Sequence, residues 1–469
     1  MSVVYNEDMC SFELITDQDI VKSYCTDSSN YPGHADALVR PKSTSEVVEI
    51  LKEANSKKIS ITPIGNRSSL TGSAAADGGW ILDTSQMTKI IEINHKEKFA
   101  LAEPGMMLSD FKKKILDEGL FYAPDPTSEK ECFFGGSIAT NASGSRTFKY
   151  GSTKKYVRAL EVVLASGEIL NLRRPEIEKN TFGYLPFQSM VDLFVGSEGT
   201  LGVITKTEVE LLDKPENFFG GMAFFKTLNE ALDFVIAVRK ELLKPNPLVT
   251  PRACELFDNY ALDIIRPDSP FKIPQNALAG IFFEQEYSLD FEKVLERWLE
   301  FLEKNNAIVD DTVVAEQPKQ QDALRTLRHK VPSTLFEEGG LYVKNGGGKI
   351  STDWSVPILR VHEIIDYAKK ISDEAKIQEP VIYGHIGNGH PHYNFIAKNA
   401  EEKKQILQVV HATCKKVATM GGTIAAEHGI GKIKKDFVKY QYPKQLIEAM
   451  RAVKISLDPN NILAPNNIF

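Results

Sequence analysis

The chain has 469 residues, 42% hydrophobic and 25% charged, an ordinary globular composition that is too long for a single core, so roughly two or three domains are expected. A formal net charge of −7, with Lys and Arg scattered rather than striped, offers no basic face to a phosphate backbone and excludes nucleic acid as a partner. Residues 1–10 carry Glu7 and Asp8 and no apolar core, and no apolar run approaches a membrane span, so the expectation is a cytoplasmic protein with no signal peptide and no transmembrane segment.

The five cysteines, Cys10, Cys25, Cys132, Cys254 and Cys414, lack Cys-x-x-Cys spacing, which leaves no iron–sulfur cluster or thiolate zinc site and predicts free thiols. Ser43-Thr44-Ser45-Glu46 is a capping box, and Val47, Ile50, Leu51 and Ala54 recur behind it at helical spacing. The β-rich run 59–62 then delivers the loop 63–72, which contains Gly65, Asn66, Arg67, Ser68 and Ser69. Such a loop exposes successive backbone N–H groups in a nest able to hold a pyrophosphate, although most Gly/Ser loops are only turns. It has neither the Gly-x-Gly-x-x-Gly of a dinucleotide fold nor a P-loop, and Gly346-Gly347-Gly348-Lys349 fails the P-loop spacing as well.

Residues 80–83 and 98–102 read as strands around a turn at 94–97, and 107–120 as a helix. Pro126, Thr127 and Ser128 follow, then 135–146, a run of small residues that includes Gly135, Gly136, Ala139 and Gly144. A stretch so free of bulk admits another backbone or a large planar ligand; a tightly packed turn and helix start is the alternative. Residues 156–172 read as a hairpin about Ser166-Gly167, and 194–204 as a glycine-punctuated segment running into a strand. The pattern changes near 212–217. From 218 to 314 the expected order is strand, helix, strand, strand, helix, strand, with Thr227 to Glu230 capping one helix and Phe291, Val294, Leu295, Trp298 and Leu302 lining the other. That alternation suits an antiparallel sheet with helices on one face. Residues 324–330, with Arg325 and Arg328, read as the solvated end of a helix.

Val381-Ile382-Tyr383 ends a strand that runs into 384–394, where three of the nine histidines lie. His385 and His392, at the facing ends of two strands, can aim their imidazoles at one point, and Glu427 and His428 add a carboxylate and another imidazole. Two His, one Glu and open positions suit a catalytic divalent metal such as zinc, manganese or iron; turn histidines bonded to neighbouring carbonyls are the alternative. Residues 401–420 form an amphipathic helix with Ile406, Val410, Cys414 and Val417 on one stripe, and 423–426 read as a strand that presents Glu427 and His428.

Taken in order, residues 65–72, 125–128, 135–139, Lys149-Tyr150-Gly151 and 196–202 resemble the FAD-binding domain of the vanillyl-alcohol-oxidase-type flavoproteins. With His385, His392, Glu427 and His428 added, nearly the whole chain is similar to the FAD-linked D-2-hydroxy-acid dehydrogenases: D-lactate dehydrogenase, D-2-hydroxyglutarate dehydrogenase and the flavin subunit of glycolate oxidase. The resemblance implies an α+β fold: a two-subdomain FAD-binding domain over 1–213, an α+β cap domain with an antiparallel sheet and the metal site over 214–455, and a C-terminal tail, 456–469, returning to the FAD domain. It implies FAD contacts from Gly65, Asn66, Arg67, Ser68, Ser69, Pro126, Thr127, Ser128, Gly135, Gly136, Ala139, Gly144 and the main chain at Ile204. No histidine lies in the 63–72 loop, so covalent histidyl attachment is not expected there. The implied metal, zinc first and manganese or iron otherwise, sits on His385, His392 and Glu427. Arg328 takes the substrate carboxylate, Asn394 and Lys349 also bind substrate, and His428 takes the hydroxyl proton.

The reaction so implied is oxidation of a D-2-hydroxy acid of the lactate, 2-hydroxyglutarate or glycolate class to the 2-oxo acid, with hydride transfer to flavin N5 and metal-assisted deprotonation of the hydroxyl. The expected electron acceptor is an electron-transfer flavoprotein, a quinone or a cytochrome, and a homodimer with peripheral membrane association is compatible with the family. A non-catalytic flavin electron-transfer or scaffold subunit, a flavin oxidase using oxygen, and a non-redox alkyl-phosphate transferase are the alternatives. Three departures stand out. Asn388 and His390 replace the usual Asp and Asn of the His-x-Gly-Asp-Gly-Asn loop, which opens a further ligand or a different substrate choice. Arg67 and Ser69 are larger than usual, with Arg67 available to the phosphates, and Ala464 to Asn467 stand where relatives have Asn-Pro-Gly-Lys.

Overall fold

The computed structural model describes residues 12–288 and 290–469; the leader reading of residues 1–10, Cys10 included, falls outside the described residues. The chain up to Gly144, Ser152–Lys214 and Glu427–Phe469 form one compact unit, and Ser145–Gly151 with Pro215–Ala426 form the other.

The first unit contains two main sheets. In one, Ala37–Val39, Trp80–Asp83 and Ile61–Ile64 run parallel, with Leu14–Ile15 antiparallel at the edge. In the other, Ile90–Asn94, Phe99–Ala102, Val203–Glu210, Val157–Val163 and Ile169–Arg173 are antiparallel throughout, in that spatial order. The helix Thr44–Lys57 begins where its capping signal lies: the Ser43 hydroxyl accepts the Glu46 N–H at 3.3 Å, and the Glu46 carboxylate accepts the Lys42 N–H at 2.9 Å. Val47, Ile50, Leu51 and Ala54 are buried against Val39, Leu82, Ile462 and Leu463. The hairpin expected at 166–167 is present; the turn at 94–97 is present too, but it joins Phe99–Ala102 to Ile90–Asn94, while Trp80–Asp83 pairs in the parallel sheet instead.

Residues 427–455, which the sequence reading assigned to the second domain, cluster with the first unit. Buried polar anchors hold them there. Glu198, between Gly196 and Gly199 at φ 53°, accepts the N–H groups of Ile430 and Gly431 at 2.7 and 2.8 Å. The Lys432 ammonium donates to the carbonyls of Gly72 and Ala75 and to Asn467, and Lys454 donates to the carbonyls of Thr200 and Leu463 and pairs with Asp458. Each of these groups is buried and satisfied, the only inexpensive way to bury a charge. The chain end completes the parallel sheet: the Ile61 N–H donates to Ile462 O, and the Ala464 N–H to Ile61 O.

The second unit is built on a seven-stranded antiparallel sheet. From edge to edge its strands are Val313–Ala315, Asn217–Phe225, Ala279–Tyr287, Pro251–Asp258, Val381–Gly384, His392–Ala397 and Gly348–Ser351. The helix Leu228–Glu241 opens on a complete capping box of Thr227 and Glu230, and Phe291–Lys304 buries Val294, Trp298, Phe301 and Leu302. The helix Pro318–Gly340 lays Leu324, Leu327, Val331 and Leu335 across Phe257, Phe282, Tyr383 and Ile396. Two expectations are corrected. A short helix, Asn259–Ile265, stands between two of the strands, started by the Asp258 carboxylate accepting the Ala261 N–H. Residues 423–426 form no strand: Thr423 makes one bridge to Ser355, and the Ala426 N–H donates to Asp353 O, since Gly421 and Gly422 release the chain with no neighbouring strand to pair along. Cys25, Cys132, Cys254 and Cys414 are buried free thiols. Among the described residues no helix is long and apolar enough to cross a membrane.

Candidate flavin and metal sites

In the first unit the loop after Ile61–Ile64 meets the small-residue run. A side chain at Gly65 would touch only Phe133 and Gly136 at 3.5 Å or more, and Asn66 donates to Glu131 O at 2.8 Å. Ser69 is tied to Thr71 and Ser73 through their hydroxyls, so the loop is rigid. The Arg67 guanidinium donates to the Ser23 carbonyl and lies over the Tyr24 ring, and Arg67 itself is at φ 59°. Its charge is engaged there in the structure.

Glycines of the run 135–144 do different work. Gly135 and Gly144 are pressed against Pro104 and the Asp125 carbonyl, where a Cβ would lie 2.3 and 2.1 Å from its nearest neighbour. A Cβ on Gly136 meets nothing within 4 Å. That open space on the helix Phe134–Ala139 is a cradle into which a bulky ligand can come close to the backbone. Ala139 O accepts the Glu198 N–H, and Ile204, second in the strand Val203–Glu210, pairs with Val162. Pro126 O accepts the Glu129 N–H, which turns the 126–128 segment back on itself.

In the second unit, Tyr383 faces His392 across the two strands, and the turn Ile386–Asn388 with Gly389 at φ 66° brings 385, 390 and 392 together. Gly384, at φ 115°, has no alternative residue: a Cβ would stand 2.5 Å from the His392 ring. The three imidazoles are 3%, 2% and 7% exposed in that order, with ring centres 5.4 Å apart for 385 and 392, 5.6 Å for 385 and 390, and 4.4 Å for 390 and 392.

Each ring is held by a fixed neighbour. His385 Nδ1 lies 2.7 Å from Glu255, whose other oxygen accepts Arg328 Nε–H at 2.9 Å. His392 Nδ1 lies 3.2 Å from Thr352 O, and His390 Nε2 lies 3.3 Å from Asp353. Burial pushes the Glu255 carboxyl up, but the charges of His385 and Arg328 outweigh it and hold it below the ordinary carboxylate range. Partners of this kind orient the rings of metal-binding histidines. Glu427 follows Ala426 by one peptide bond, and ligand atoms of His385, His392 and Glu427 all lie within 4.8 Å of one another. The next residue, His428, is half-buried, and its carbonyl accepts the Thr71 hydroxyl at 3.3 Å.

Strand pairing places the remaining candidates on one sheet face. Residues directly opposite share a face, as do residues two apart. Tyr383 pairs with His392, Val381 with Asn394 and Lys349 with Ile396, so His392, Asn394 and Lys349 face the side covered by the helix carrying Arg328. Asn394 donates to the carbonyls of Val381 and His392, while its buried Oδ1 meets no donor. Burial pushes the Lys349 ammonium down to about 8. Glu255 was not singled out in the sequence, and Thr352 and Asp353, within 351–357, were read there as packing alone, whereas the structure sets them against His392 and His390.

Residues 35–173 match the FAD binding domain family, and 214–468 match FAD linked oxidases, C-terminal domain. The chain is 31% identical over 451 residues to glycolate oxidase subunit GlcD of Bacillus subtilis, covering 94% of this chain and 90% of the relative. It is 30% identical to a D-lactate dehydrogenase of Anaerostipes hadrus, covering 92% and 89%, and 29% identical to a D-2-hydroxyglutarate dehydrogenase of Stutzerimonas stutzeri, covering 97% and 96%. Among solved structures, p-cresol methylhydroxylase with substrate bound superposes with a TM-score of 0.72 at 18% identity, covering 97% of this chain and 93% of that one.

Proposed function

The chain belongs to the FAD-linked oxidases of the vanillyl-alcohol-oxidase-type fold, in the company of FAD-dependent D-2-hydroxy-acid dehydrogenases, and from that premise we propose that it oxidises a D-2-hydroxy acid to the 2-oxo acid. The observation that carries this reading is the His385, His392 and Glu427 donor set beside a sheet face bearing Lys349 and Asn394 and covered by the Arg328 helix. Two imidazoles and a carboxylate with oriented outer partners fit a catalytic divalent cation, zinc first. The loop 65–69, residues 126–128, Gly135, Gly136, Ala139, Gly144 and the main chain at Ile204 fit the flavin, on the strength of the cradle at Gly136. When bound, FAD supplies a hydride acceptor and the cation a Lewis acid that lowers the pKa of a coordinated hydroxyl.

The chain's own residues do the rest. Arg328, fixed through Nε by Glu255, presents its planar fork to the substrate carboxylate. Lys349 adds a second cation that loses its proton near pH 8, and the Asn394 amide has a buried oxygen ready to accept from a substrate hydroxyl. His428 takes the hydroxyl proton. Because metal-binding imidazoles must be neutral, turnover falls as pH drops through the histidine range. Electrons leave to a protein flavin, a quinone or a cytochrome.

The test is anaerobic mixing of the flavin-loaded protein with D-lactate or D-2-hydroxyglutarate, with and without a chelator. Bleaching of the flavin by at least one acid, abolished by the chelator, is expected. A flavin that neither acid reduces sinks the reading.

A further inference from the structure

His390 stands where the resemblance expects an asparagine, and the structure gives it a setting that packing alone does not require. Its N–H donates to His385 O at 3.2 Å, which folds the residue back beside the other two imidazoles. It is buried, and so is Asp353, whose carboxylate lies 3.3 Å from its Nε2. Taking an imidazole and a carboxylate out of water together is expensive, and an ion-pair contact of 3.3 Å repays little of that cost. The residue next to Asp353, Thr352, bonds His392 Nδ1 through its carbonyl at 3.2 Å, so one short segment lies against two of the rings.

The ring spacing is informative. A cation about 2.1 Å from each ligating nitrogen stands roughly 3.2 Å from each ring centre, so imidazoles 90 to 110° apart around it have centres about 4.5 to 5.3 Å apart. The three observed separations, 4.4, 5.4 and 5.6 Å, bracket that span. The donor group whose atoms all lie within 4.8 Å of one another is His385, His392 and Glu427, and His390 is not part of it.

We infer that His390 is a fourth protein ligand, swinging in as the cation binds, so that this chain's site is three imidazoles and one carboxylate. This rests on the metal reading of the site given above. A third nitrogen donor raises affinity for zinc-like ions and makes the site more selective against oxygen-preferring cations such as magnesium. It also leaves fewer positions open to substrate than a three-ligand site would.

The experiment uses the FAD-loaded protein, stripped with a chelator and titrated with Zn2+ against a chromophoric competitor, with Co2+ reconstitution read as a visible difference spectrum. His390→Asn restores the residue expected from the family and keeps a polar group beside Asp353; His390→Ala removes the donor outright. Both are expected to weaken Zn2+ binding by about 10- to 100-fold. Both also change the position and intensity of the Co2+ bands, with flavin content and far-UV dichroism as folding controls. Affinity within about twofold of the parent, with a superimposable Co2+ spectrum in either folded variant, overturns the inference and leaves the three-ligand site standing. A parent protein that takes up no metal overturns both.

Discussion

Glu255 shows how much one buried side chain can control. It is 1% exposed, and its two oxygens serve His385 and Arg328 separately, so the histidine cluster and the long helix carrying Arg328 share a single anchor. Glu255→Gln keeps the shape but removes the charge and turns one acceptor into a donor. Metal affinity should fall about 10- to 100-fold, the usual effect of losing an outer partner. The substrate KM should rise with it, because Arg328 loses its orientation; competition titration and steady-state kinetics check the two effects separately. Asp258 makes a pH prediction. Burial lifts its carboxyl to about 7, against backbone N–H bonds from Ala261 and Ile382 that pull the other way. A carboxyl raised in the fold binds its proton more tightly folded than unfolded, so its favourable contribution is present at low pH and lost as pH climbs from about 4 to 7. Relative to Asp258→Asn, the parent should lose stability across that window by on the order of 3 to 4 kcal/mol, measured by denaturant melts at a series of pH values. Residues whose placement depends on near neighbours were legible in sequence: the 385–392 turn announces itself by glycine and histidine alone. Glu255 was not, because its partner lies 130 positions away, and nothing in a strand of apolar residues says which carboxylate will face a histidine.

Among the elements, the helix Phe134–Ala139 separates two uses of glycine. Gly135→Ala forces a Cβ into Pro104 and should destabilise the fold by about 1 to 3 kcal/mol. Gly136→Ala meets open space and gains helix propensity, so melting should be unchanged or slightly raised while FAD affinity drops. Flavin release measured by fluorescence on the two variants distinguishes them, and a Gly136→Ala protein that keeps its FAD rules out the cradle. Elements with caps and a clear period, such as Thr44–Lys57 and Leu228–Glu241, were readable because their signals are local. The supposed strand at 423–426 shows the limit of that approach. Thr-Ile-Ala-Ala has strand composition, yet a strand needs a partner along its length, and here only Thr423 finds one. The short helix Asn259–Ile265 was missed for the opposite reason, since its starting signal, Asp258, also ends a strand.

For the whole molecule, neither compact unit is a continuous stretch of sequence. The first is interrupted at 145–151 and 215–426, and its polar anchors Glu198, Lys432 and Lys454 join the early and late segments. Residues 12–214 alone should therefore fail to unfold cooperatively and should not retain FAD; the same residues joined to 427–469 by a short linker should do both, as calorimetry and flavin titration would show. Removing the Glu198 carboxylate by Glu198→Ala leaves two buried N–H groups without an acceptor and should cost about 1 to 3 kcal/mol for each. Length indicated two or three domains and the family resemblance a flavoprotein, but the destination of 427–455 was not legible, since the residues that receive it lie more than two hundred positions upstream. The pairing of Ile61 with Leu463 carries this into the cell. At about 5 to 20 residues per second, roughly 20 to 80 s separate the translation of those two residues. During that interval the nascent amino-terminal sheet has an uncovered edge, so the growing polypeptide waits on the ribosome for its own last segment, and chaperones that shield strand edges should bind it best in that window.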